Sequence, residues 1–108
     1  MRTQDVSSPD QPSIFSRRRA DTERLEAQLA EWSAIIAQCR AGANRAVSKV
    51  RVEFDRTADE LQRLRNEAGI QVMNLKTAVD FGWEDSVSEL DRSWEPIRIT
   101  FQRAVAKF

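Results

Sequence analysis

A chain of 108 residues with 41% hydrophobic content and a mean hydropathy of −0.57 fits one soluble domain, and no apolar run approaches the roughly 20 residues that cross a bilayer. Seventeen Lys and Arg balance 17 Asp and Glu, so no net field draws the whole molecule to nucleic acid, and a DNA-binding role is disfavoured. The absence of His and the single Cys remove the commonest metal ligand and general base and exclude an intrachain disulfide; a reducing cytoplasm is the expected setting, with no metal and no cofactor.

Three Gly, three Pro and no Tyr leave little turn chemistry for a sheet, while the abundant Ala, Arg, Glu, Leu and Gln lose least on entering a helix. The fold class expected is all-α. Residues 1–13 carry Pro9, Pro12 and a run of Asp, Gln and Ser with almost no apolar side chain, and read as a disordered tail. A helical domain over residues 14–108 follows. Its first helix starts near Ser13 or Ser16, either of which can cap free amides, with Phe15 placed as a staple against the first turn. Arg17, Arg18 and Arg19 lack the apolar run that a twin-arginine export signal needs, and read as a charged helix start.

The dominant pattern is an apolar stripe. Leu25, Leu29, Trp32, Ile36 and Cys39, continuing to Ala43 and Ala46, alternate steps of four and three; so do Val87, Leu90, Trp94, Ile97 and Phe101, continuing to Ala104 and Phe108. That spacing lines one side of a helix and favours a coiled-coil seam. Between Ala46 and Phe54, and again over Leu75, Val79, Trp83 and Val87, consecutive fours interrupt it. Such stutters disfavour a uniform two-stranded rope. Gly42 falls inside the first run, where it leaves room for a close neighbour. The intervening surface is laced with opposite charges four apart, among them Lys49 with Glu53, Arg51 with Asp55 and Arg63 with Glu67.

Gly69 is the best candidate for a turn and Gly82 the next, with an uninterrupted helix through Gly69 as the alternative. A turn at Gly69 divides the domain into a helix over about 16–67 and one over about 71–107, lying antiparallel as a coiled-coil-like hairpin. Pro96 in mid-pattern predicts a kink or short break near Arg92 to Trp94, with Ser93 able to cap a fresh start.

Phe81-Gly82-Trp83-Glu84-Asp85-Ser86-Val87, the later pair Trp94-Glu95, the stretch Leu25 to Trp32 and the charged centre from Phe54 to Glu67 together resemble small bacterial coiled-coil proteins of about a hundred residues. The resemblance covers Leu25 to Phe108 and implies no catalytic residues; some of those proteins are described as stress-response proteins. Gly69, Pro96 and the use of Arg where the family favours Lys depart from its pattern.

Cys39 reads as a small apolar residue in the seam; a disulfide across a parallel dimer is the alternative. Trp32, Trp83 and Trp94, with Phe54, Phe81, Phe101 and Phe108, read as core. Asp85 with Glu89, and Asp55 with Asp59, read as solvated acids, since neither a general base nor a phosphate loop accompanies them. The function expected is therefore non-enzymatic: a helical interaction or scaffold protein whose stripe is completed by self-association, most simply as a dimer, with a protein partner as a further possibility. Two helices cannot cover a stripe this wide, and contiguous apolar surface finds a partner. The alternative is a peripheral protein whose amphipathic helices meet a lipid surface through Trp and Phe. A nucleic-acid adaptor using Arg17 to Arg24 ranks last.

Overall fold

The computed structural model describes residues 13–107. The expected tail lies outside them, except for Ser13, and so does Phe108. Three helices account for the fold: α1 (Ile14–Arg45), α2 (Ser48–Lys76) and α3 (Trp83–Lys107), with no strand among the described residues. The fold class is all-α. An antiparallel helical hairpin is present, formed by α1 and α2 and not by the expected helices over 16–67 and 71–107, and α3 lies against both to make an up-down-up bundle.

The helix boundaries correct the expected division. One helix over 16–67 is in fact two, because the chain reverses at Ala46 and Val47, which are both extended with ψ of 158° and 160°. Neither is Gly or Pro. Val47 is β-branched and prefers the extended region, and it serves as the α2 N-cap without a side-chain hydrogen bond. At the end of α1 the Ala43 carbonyl accepts from the Ala46 amide at 3.3 Å and from Arg51 Nε at 3.2 Å. Gly69 makes no turn: α2 runs through it. The second reversal is at Gly82, whose φ of 84° lies in the left-handed region. The break expected at Arg92 to Trp94 is also absent, since α3 carries Pro96 in its interior; the register of its apolar stripe is kept across the lost hydrogen bond.

The start of α1 follows expectation. Ser13 Oγ accepts from the Ser16 amide at 3.1 Å. Glu84 and Asp85 in the first turn of α3 suit the positive end of its dipole.

Antiparallel α1 and α2 are aligned by Lys76 with Glu26, Arg65 Nε with Ser33 Oγ at 3.0 Å, and Arg40 with Asp59 at 3.4 Å. Their α1 members stand seven residues apart, on one edge of the helix. Parallel α1 and α3 are aligned by Arg17 with Glu84 and by a bidentate pair of Arg24 with Asp91, both contacts 3.1 Å. Exposed pairs contribute about 0–1 kcal/mol each, so they set register while burial supplies the stability. Of the expected surface pairs, Arg63 does meet Glu67 at 2.8 Å, and it also reaches Glu60 at 3.6 Å.

Candidate interaction surfaces

The residues expected to form an intermolecular seam are in the interior of one chain. On α1, Leu25, Leu29, Trp32, Ile36 and Cys39 are 0–6% exposed; on α3, Val87, Leu90, Trp94, Ile97 and Phe101 are 0–7% exposed. All but Cys39 join a single core cluster, to which α2 contributes Leu61, Ala68, Val72 and Leu75. The premise that two helices leave the stripe uncovered therefore fails, because the chain supplies a third.

The aromatic centre is compact. Trp32 stacks on Phe101, with centroids 4.9 Å apart and planes at 10°, and meets Trp94 at 5.0 Å with planes at 51°. These geometries suit the ring quadrupoles. Trp83 is also buried, but its indole Nε1 donates to Asp21 Oδ2 at 2.9 Å, whereas Trp94 Nε1 is buried with no acceptor among the described residues. Phe54 is half-buried. Two aromatics depart from expectation: Phe81 is 94% exposed, and Phe15 at 75% does not act as a staple.

Cys39 stands apart, between α1 and α2. Its Sγ lies 3.3 Å from the Phe54 carbonyl oxygen, to which it can donate. Burial pushes its thiol above the ordinary range; Arg40 opposes this and Asp55 adds to it. Gly42 brings the helices together one turn further on, where a Cβ would stand 2.7 Å from the Phe54 ring.

Arg18 has a role that spacing could not reveal. Its guanidinium donates to the Ala78 carbonyl at 2.7 Å and to Asp80 Oδ1 at 2.8 Å, and lies 4.2 Å from the Trp83 ring centroid. It thus ties the first turns of α1 to the loop between α2 and α3. Arg17 and Arg19 pair with Glu84 and Glu23, so the basic run is neutralised within the chain. Phe15, Val79 and Phe81 project from this same end.

Shallow open grooves run between the helices. One between α2 and α3 is lined by Gln71, Asn74, Ser86, Glu89 and Ser93 over Leu75 and Leu90. No group of three or more His, Cys, Asp or Glu is placed to hold a metal among the described residues. No buried residue among those described is polar or charged. Nor is any described helix long and apolar enough to cross a membrane. No family model matches the chain, and no curated protein and no solved structure matches it.

Proposed function

We propose that this chain is a non-enzymatic helical interaction or scaffold protein that acts through the outer faces of its bundle, with a second copy of itself as its first partner. The observation that carries this reading is the placement of large apolar residues on the outside of a closed core: Val52, Ile70 and Met73 on α2 are 56%, 58% and 67% exposed. Scattered exposure of this kind is ordinary, but these three share one face of one helix. A cytoplasmic role in the bacterial stress response, holding or scaffolding other components, is the setting to which the family resemblance points. Light scattering coupled to size exclusion over a range of loading concentrations tests the reading. It requires a mass that rises with concentration while helicity stays constant; a constant monomer mass at every concentration overturns self-association.

A second reading is favoured by one specific feature, the exposure of Phe15, Val79 and Phe81 at one end of the bundle. Aromatic residues held on an ordered tip suit a lipid interface. The tip's arginines are paired with acids, so this reading predicts co-sedimentation with phosphatidylcholine vesicles that added salt does not abolish. Loss of that co-sedimentation on Phe81→Ser would support it; no co-sedimentation of the unmodified chain would dispose of it.

A further inference from the structure

The outer side of α2 repeats in polar form the spacing of the buried stripe. Val52, Arg56, Asp59, Arg63, Asn66 and Ile70 follow steps of four and three without a miss, and Met73 extends the row by one more step. Every one of these residues is exposed. The row faces away from Ala58, Leu61, Ala68 and Val72, which bury the opposite side of the helix in the core. A second seam on the back of a helix already packed along its front is the pattern of a helix with a neighbour on each side.

We propose that α2 is a homodimerisation helix, and that this outer row packs antiparallel against the same row of a second copy. The inference rests on the self-association reading above and assigns it a surface and an orientation.

Charge and size complementarity fix the occupant. In an antiparallel pair centred on residue 61, Val52 faces Ile70 of the second copy, Arg56 faces Asn66 and Asp59 faces Arg63. A twofold axis repeats each contact in reverse, so both ends are apolar and the middle holds two opposite-charge layers. Parallel pairing instead sets Arg56 on Arg56, Asp59 on Asp59 and Arg63 on Arg63, three layers of like charge. The groups concerned keep capacity beyond their contacts within the chain. The Asp59 side chain is 76% exposed and holds Arg40 through one oxygen only, and Arg63, itself 59% exposed, keeps donors beyond those meeting Glu60 and Glu67. A lipid surface fits this row poorly, because four of its first six positions are charged or amide groups that lose their hydration on insertion. The seam is short, about 27 Å from Val52 to Ile70 at 1.5 Å per residue, which places it among small, concentration-dependent interfaces.

Charge reversal tests the proposal on the full chain by sedimentation equilibrium. Asp59→Arg alone, and Arg63→Asp alone, are expected to weaken dimerisation by about tenfold or more, since each creates like-charge layers twice per dimer. The double variant restores opposite charges and is expected to dimerise as the unmodified chain does. Orientation is read by mild oxidation: the Val52→Cys chain cross-links to the Ile70→Cys chain on mixing, and neither cross-links to itself. Helicity and melting temperature, followed in parallel, show that each variant folds. A dimer indifferent to both single reversals overturns this seam and leaves self-association standing; a chain monomeric at all concentrations overturns both. Self-cross-linking of Val52→Cys overturns the antiparallel arrangement.

Discussion

Trp83 and Trp94 occupy the same kind of buried position with different polar outcomes, and that difference is measurable. Replacing Trp83 by Phe removes the hydrogen bond to Asp21 and leaves that acid short of a donor, at a cost of about 2 kcal/mol including lost packing. Trp94 has no acceptor to lose, so Trp94→Phe costs only ring volume, about 1 kcal/mol. Thermal denaturation should rank the two in that order, with Trp94→Ala well below both, at about 3–5 kcal/mol. Cys39 supplies a pH dependence. Its folded-state pKa is raised, so the neutral thiol stabilises the fold fully below the unfolded thiol's value of about 8.5, and that contribution is lost as pH rises through the folded value. Urea midpoints of the unmodified chain and of Cys39→Ala should run parallel at neutral pH, and the unmodified chain's should fall further above about pH 9.

At the scale of the helix, two glycines with similar sequence surroundings behave oppositely. Gly69 lies inside α2, and a Cβ there meets only Arg65 Nη1 at 3.0 Å, the far end of a flexible side chain. Gly69→Ala should therefore stabilise the fold by about 1 kcal/mol through helix propensity alone. Gly42→Val should destabilise it by about 1–3 kcal/mol, because the Phe54 ring occupies the space a branched side chain needs. Chemical denaturation of the two variants measures both signs. The same glycines mark how far the sequence was legible. Heptad spacing correctly identified the buried faces of α1 and α3, since periodicity records burial directly. Turn residues misplaced the first reversal, because Ala46 and Val47 turn the chain in extended conformations that need no special residue. Yet both stutters in the stripe, Ala46 to Phe54 and Leu75 to Val87, fall on the two places where the chain reverses. A helix that ends and restarts resets its phase, and the lost phase was written in the spacing. Arg18 was illegible for another reason: its partners Ala78, Asp80 and Trp83 are about sixty residues away, and no local pattern relates them.

For the molecule as a whole, Arg18 joins all three helices at one end. Arg18→Ala should cost about 2 kcal/mol, through lost hydrogen bonds to the carbonyls of Lys76 at the end of α2 and Ala78 in the loop, and the lost contact with the Trp83 ring. Arg18→Lys should restore little of it, because an ammonium cannot lie flat on the ring while bonding in its own plane. Amide exchange at residues 77–82 is expected to quicken in both variants, while the α1–α2 hairpin stays protected. The expected seam and the observed core are the same residues in different company: the cover assigned to a neighbouring molecule comes from within the chain, because the expected first helix is divided into α1 and α2. The proposed meeting with a second copy is accordingly assigned to the far side of α2, where charged positions separate the apolar ones.

An odd number of passes has a geometric corollary. The polypeptide enters the bundle at the pole that carries Phe15 and Phe81 and leaves it at the opposite pole, beyond Lys107. The first turn of α1 and the last turn of α3 are consequently held apart by the length of α3, about 37 Å at 1.5 Å per residue.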